Sequence, residues 1–134
     1  MLKRIGELIE AGKSFGFETT LAGRGYVKML QQMEQLGYRI HLYFLWLPSP
    51  TVALARVQQR VRKGGHNITE DVIRRRFEAG LKNFFEIYQP LVDDWVLWDA
   101  SPDLPTKIAS LGKGRLHVHD DPLYNQIIDY MAKQ

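Results

Sequence analysis

The chain contains no cysteine, so it has neither a disulfide framework nor a thiolate metal site. It also has no long apolar run. The longest, Ile40 to Leu47, is interrupted by His41 and falls far short of the roughly 20 residues that span a bilayer. The opening Met1-Leu2-Lys3-Arg4-Ile5-Gly6-Glu7 has no apolar core and carries an early acid, which argues against a secretory leader. These absences point to a cytoplasmic protein without a membrane partner. Charge of one sign is in slight excess, with a net charge of +3. The surplus is local: Arg56, Arg60, Arg62, Lys63, Arg74, Arg75 and Arg76 fall in one short stretch. Such a cluster suits phosphate groups on a nucleotide or a nucleic acid, or else forms a solvated helix face. The 134 residues make one domain's worth of core, and 45% hydrophobic residues is ordinary for a globular protein.

Periodicity predicts the following order. Leu2, Ile5, Leu8 and Ile9 recur at helical spacing up to Gly12. Ser14 to Thr20 reads as a short strand, its two phenylalanines alternating. Gly23 and Gly25 mark a loop, and Tyr26, Leu30 and Met33 then form a helix that Gly37 stops as a C′ glycine. Tyr38 to Leu47 is the clearest strand. Being apolar on both faces, it reads as a central strand of a parallel sheet with helices above and below. Thr51 to Lys63 is helical until Gly64-Gly65, and Thr69-Glu70-Asp71 opens a further helix with a good N-cap and early acids, which Pro90 ends or bends. Trp95 to Trp98 is a strand. Lys107 to His119 has the pattern of a hairpin turning at Gly112-Lys113-Gly114, and Asp120-Asp121-Pro122 starts a last helix burying Leu123, Ile127 and Met131. Helices alternating with strands imply an α/β fold with a parallel sheet and ligands beyond the carboxyl ends of its strands.

Gly12-Lys13-Ser14 imitates the end of a phosphate-binding loop, but the G-x-x-x-x-G-K-S/T pattern fails because Gly6 is one residue out of frame. The context is also reversed, since the tripeptide follows a helix rather than opening one. Glu18-Thr19-Thr20 is more informative: a carboxylate and two hydroxyls at a strand end can hold a substrate hydroxyl or hydrated magnesium. Arg60, Arg62, the diglycine and His66 suit a lid over a polyphosphate. Arg74, Arg75 and Arg76 point in three directions about 100° apart on a helix. Arg76 leans toward the apolar flank, Arg75 is next, and Arg74 faces solvent. His41, set among apolar residues, reads as structural. His117 and His119 lack a third ligand at firm spacing, and Trp46, Trp95 and Trp98 read as core.

Several stretches together resemble the bacterial zeta-toxin-like P-loop ATPases. They are Phe15-Gly16-Phe17-Glu18-Thr19-Thr20-Leu21-Ala22-Gly23, Gly37-Tyr38-Arg39, Phe44 to Pro50, Ala53 to Val57, Arg60 to His66, and Ile73 to Phe77. The likeness runs from about Met1 to Ser101, and Pro102 to Gln134 resembles the variable C-terminal extension of that group. It implies a nucleotide-kinase-like parallel-sheet fold, incomplete at its N-terminus, that uses ATP and Mg2+. The implied activity is a phosphotransferase (kinase) acting on a small molecule such as UDP-N-acetylglucosamine, within a toxin–antitoxin pair. By position, Glu18, Arg62 and Arg76 would be catalytic. Arg60, His66 and Arg75 would face ATP, and Thr19, Thr20 and Arg24 the acceptor. No phosphate-binding loop, no magnesium-holding hydroxyl after it and no following aspartate base precede Met1 in this sequence. A clipped chain, a mis-assigned start or a degenerate gene would each produce that pattern, with weak ATP binding and self-association through unpaired strands. The competing readings are a non-catalytic interaction module and a basic nucleic-acid-binding domain.

Overall fold

A computed structural model of the chain describes residues 2–64 and 69–133. The elements run α1 (Leu2–Glu10), α2 (Val27–Gln35), β1 (His41–Trp46), α3 (Pro50–Arg62), α4 (Glu70–Asn83), β2 (Asp94–Asp99), β3 (Thr106–Gly112), β4 (Arg115–Val118) and α5 (Asp121–Ala132). A π-turn over Phe84–Tyr88 and a 3₁₀ turn over Gln89–Leu91 extend α4. The four strands form one sheet in the order β1-β2-β3-β4, giving a mixed α/β fold.

Two helix ends follow the sequence closely. After α1, the Gly12 N–H donates to the Ile9 carbonyl and the Lys13 N–H to the Leu8 carbonyl, both at 3.0 Å, with Gly12 at φ +67°. After α2, Gly37 (φ +86°) and Tyr38 repeat the pattern, donating to Glu34 and Met33. Both are Schellman caps, which need a left-handed residue at C′. Gly12-Lys13-Ser14 is thus the end of a helix.

The sheet is mixed, where a parallel sheet was expected: the hairpin expected over Lys107 to His119 joins it antiparallel. β1 and β2 are parallel, joined through α3 and α4; β2–β3 and β3–β4 are antiparallel. The cause is the length of each connection. Parallel neighbours need a long crossover, whereas a two-residue turn returns the chain antiparallel. Lys113 (φ +52°) and Gly114 (φ +73°) supply that turn between the paired Gly112 and Arg115, as a type I′ hairpin requires. Residues after Ser101 supply Ile108, Ala109 and Ile127 to the same core as the rest.

β1 departs from the central position its composition suggests. Among the described residues it is an edge strand. Its inner face, Leu42, Phe44 and Trp46, packs on the core, while Tyr43 and Leu45 on the outer face are 65% and 61% exposed. Ser14 to Thr20 also departs from expectation: it forms no ladder with any described strand. The alternation of its phenylalanines reflects aromatic contacts instead. Phe15 meets Tyr38 edge-on at 6.2 Å and Phe17 meets Tyr26 at 5.1 Å. Of the three tryptophans, Trp46 and Trp95 are buried as expected, whereas Trp98 is half-buried on the outer face with the Lys107 ammonium 5.6 Å from its ring centroid.

The core centres on Phe84 and Tyr88, both fully buried. Burial holds the Tyr88 phenol above its ordinary value of 10.0, and burial raises that of Tyr124 as well. A phenol with a raised value in the folded chain releases its proton more readily when unfolded. Its contribution is therefore complete below pH 10 and is lost as pH rises through the folded value. Thermal unfolding should show a midpoint that falls above about pH 10. Tyr88→Phe should flatten that decline, leaving the share due to Tyr124. Because the Tyr88 hydroxyl donates to the Gly23 carbonyl at 2.6 Å, the same variant should lose about 1 kcal/mol at neutral pH.

Candidate functional site

A cleft of about 1440 Å³ runs along the whole of β1. One wall is every residue from Ile40 to Leu47, and the other is every residue from Ser14 to Leu21. α3 and α4 close one end with Arg56, Val57, Arg60, Ile73, Arg76 and Phe77. That end is the carboxyl end of the parallel pair. Arg56 donates to the Ala100 carbonyl at 2.6 Å and to Ser101 at 3.3 Å, immediately past β2, where the Ala100 N–H meets the Trp46 carbonyl at 2.8 Å. Ser101 is itself tied back, its N–H and hydroxyl both donating to Asp99 Oδ1.

The wall carrying Glu18, Thr19 and Thr20 is pinned at both ends. Near its start, the Tyr38 hydroxyl donates to the Lys13 carbonyl at 3.0 Å. Past its end, Asn83 Nδ2 donates to the Leu21 carbonyl at 2.7 Å. Between them the backbone presses on α4 so closely that a Cβ on Gly80 would lie 2.4 Å from the Thr20 carbonyl oxygen. Leu21 is buried at φ +56°, a conformation that a bulky side chain adopts only when its surroundings impose it. Backbone strain of this kind is characteristic of sites where a segment is held for function.

The residues singled out from sequence divide into two groups. Glu18, Thr19, Thr20, Arg60 and Arg76 line the cleft. Glu18, Arg60 and Arg76 are exposed and have no hydrogen-bond partner among the described residues. The threonine hydroxyls accept from the Leu21 and Ala22 N–H groups at 3.2 and 3.4 Å, so they shape their own turn while facing the opening. Arg62 and Arg75 are exposed but do not line the cleft. Arg24 also stands outside it, on the loop whose Gly23 carbonyl takes the Tyr88 hydroxyl. His66 lies outside the described residues. Arg74 pairs with Glu70 at 2.9 Å on the solvent side of α4.

Arg56 is the cleft residue that the sequence reading placed in the basic cluster without giving it a role. Its spacing held the signal: Arg56 and Arg60 are four apart on α3 and share a face. Elsewhere, His41 Nδ1 hydrogen-bonds Asp94, its cross-strand neighbour, and His119 Nε2 meets the Ser110 hydroxyl at 3.2 Å. Among the described residues no three His, Asp or Glu side chains converge as metal ligands. No described helix is long and apolar enough to cross a membrane.

In chemical terms the cleft offers the Arg60 and Arg76 guanidinium groups, without a partner among the described residues, beside Arg56, which is hydrogen-bonded to carbonyls, and Arg39, which lies 3.6 Å from Asp94, together with the Glu18 carboxylate and hydroxyls that include those of Thr19 and Thr20. The guanidinium groups suit phosphate oxygens, and the carboxylate with its hydroxyls suits a polar acceptor. Comparison with known proteins adds little chemistry. The chain is 32% identical over 63 residues to an uncharacterized protein of Haemophilus influenzae, a segment that makes up 47% of this chain and 45% of that protein. It therefore spans less than half the length of that relative. No protein-family profile matches the chain, and no solved structure matches it.

Proposed function

We propose that the cleft is a phosphate-recognising site of the zeta-toxin-like phosphotransferase class, working with ATP and Mg2+ on a small acceptor such as a UDP-sugar. The observation that carries this reading is the convergence of Arg60 and Arg76, from separate helices, with Glu18-Thr19-Thr20 on one cleft at the carboxyl end of a parallel strand pair. Open α/β sheets place ligands at that edge. Arg60 and Arg76 would bind the polyphosphate, Arg56 would brace the floor through Ala100 and Ser101, and Glu18 would receive the acceptor hydroxyl. Arg62, Arg75 and Arg24 stand outside this group, so the arginines that matter are narrowed to those on the cleft side of α3 and α4.

The sequence contains no G-x-x-x-x-G-K-S/T loop, so a nucleotide would meet side chains without a cradle of backbone N–H groups. Calorimetric titration of the chain with magnesium-ATP should show binding weaker than about micromolar. The signal should fade as salt is raised, because both arginines are exposed and screened. The double variant Arg60→Ala/Arg76→Ala should abolish it, and Arg62→Ala/Arg75→Ala should leave it unchanged. Equal losses in the two double variants would remove the cleft from the account and leave a general basic surface.

A further inference from the structure

Ile9, Leu30, Leu81 and Ile127, from α1, α2, α4 and α5, form one core with Trp46, Trp95 and Leu97. Strand residues alternate between the two faces of a sheet. Those tryptophans and Leu97 therefore mark the inner face, and Tyr43, Leu45, Val96 and Trp98 stand on the outer one. None of these four is part of the core. The pairing register lines up the outer side chains across the sheet. Tyr43, Val96, Ser110 and His117 form one row, and Leu45, Trp98 and Lys107 form the next. The second row depends on a register shift between Leu97 and Trp98. Unbroken pairing would set Ile108 opposite Trp98. The shift sets Lys107 there instead and leaves Ile108 fully buried. A bulge of this kind re-aims a side chain, and here it carries an ammonium group to within 5.6 Å of the Trp98 ring centroid.

We propose that this outer face is a platform for single-stranded nucleic acid, with bases stacked on Tyr43 and Trp98 and phosphates held by Lys107 and Arg115. Tyr43 is 65% exposed. It lies on the strand beside Trp98 and roughly 8 Å from it, by the spacing of strands and of residues along them. The two rings thus offer separate faces to two successive bases, and such stacking is tolerant of sequence because every base has a π-face. A base arriving at Trp98 moves the flexible Lys107 side chain aside, toward the adjoining phosphate. The charge of the face is complementary to that occupant. Lys107, Arg115 and His117 are exposed, and Arg115, two residues before His117 on β4, shares its face. Among the strand residues of this face the one carboxylate is Asp94, which His41 and Arg39 hold. Rings and cations with the carboxylate neutralised favour a polyanion that carries stackable rings. A second copy of the chain is a poor occupant, because two such faces would oppose like charges. The platform is a different surface from the arginine end of the cleft, although Tyr43 and Trp98 border both.

The test uses the whole chain and labelled oligo(dT) and oligo(U) of about ten nucleotides, within the usual site size. Fluorescence anisotropy at low salt, without ATP, follows the binding. The expected result is saturable binding of both strands, accompanied by shifts of the Tyr43 and Trp98 ring resonances. Tyr43→Ala should weaken binding by about tenfold, and Tyr43→Phe, which keeps the ring, should restore most of the loss. Lys107→Gln and Arg115→Gln should each lower the slope of log affinity against log salt by about 0.7, the share of one phosphate contact on a single strand. A DNA duplex or an inorganic polyphosphate that binds as tightly as the single strands would overturn the proposal, since charge alone would then suffice. So would a Tyr43→Ala variant that binds like the unaltered chain, an absence of saturable binding, or a dimer in sedimentation that buries the same face. Titration of Arg60 and Arg76 with inorganic triphosphate is read separately and should be unchanged in Tyr43→Ala. Failure of the platform would therefore leave the arginine site standing, and the reverse holds too.

Discussion

Phe84→Ala is expected to lower the stability of the chain by about 3–5 kcal/mol. That is a large part of the roughly 5–15 kcal/mol that holds a domain of this size folded. Phe84 is fully buried. It stacks on Phe44 of β1 with centroids 4.7 Å apart and meets Trp95 of β2 edge-on at 5.5 Å and Phe85 at 5.2 Å. Alanine would leave a cavity where both parallel strands meet the π-turn, and aromatic pairs add to the transfer loss. Phe84→Leu, which keeps much of the volume, should recover more than half of the difference. Chemical denaturation of the three proteins measures this. If Phe84→Ala lost less than about 1 kcal/mol, the packing of the sheet on the π-turn would be wrong.

The second large effect is expected at Gly80. Alanine is ordinarily the better helix former by about 1 kcal/mol. In α4, however, its Cβ would lie 2.4 Å from the Thr20 carbonyl oxygen. That neighbour is backbone, held by Asn83 through Leu21, so it cannot turn aside as a flexible side chain would. Gly80→Ala should therefore destabilise the chain by about 1–3 kcal/mol, the usual range for overpacking, in place of the gain that propensity alone implies. It should also displace Glu18, Thr19 and Thr20 from the cleft wall. Denaturation together with amide chemical shifts over residues 18–22 would register both effects. A stabilised Gly80→Ala variant with unchanged shifts would show that the segment does not press on α4.

The parts of this architecture that were legible in the sequence are those decided within a few residues. Gly12 and Gly37 announce helix ends because only glycine takes the left-handed C′ position without strain. Lys113-Gly114 announces a hairpin because two consecutive residues there must have positive φ. The helix start at Asp120 behaves likewise, its carboxylate accepting from the Leu123 N–H, whereas Thr69 stands at the start of α4 as expected but makes no side-chain cap hydrogen bond. The parts that were not legible depend on partners distant in the chain. Phe15 and Phe17 alternate as strand residues do, but alternation reports which side is apolar and not whether an edge lies alongside. β1 is apolar enough for a central strand, yet among the described residues it pairs with β2 alone. The antiparallel addition of β3 to β2, which makes the sheet mixed, was hidden for the same reason.

The candidate site shows the same division. That Arg74, Arg75 and Arg76 diverge follows from helical geometry, and Arg76 faces the cleft while Arg74 pairs with Glu70. Which arginines of α3 join it depends on how α3 lies against the end of β2. Only the hydrogen bonds from Arg56 to Ala100 and Ser101 reveal that. Arg62, chosen for its place beside the diglycine, stands outside the cleft.

The central claim is that phosphate is recognised by the cleft arginines rather than by the basic surface as a whole. It is tested most directly by following the arginine side-chain N–H resonances while inorganic triphosphate is added. The account predicts that Arg60 and Arg76 shift together along one binding curve, and that Arg56 follows with a smaller change because its guanidinium is already committed to two carbonyls. It also predicts that Arg62 and Arg75 remain where they began. Equal shifts at all five arginines, or the largest shifts at Arg62 and Arg75, would contradict it.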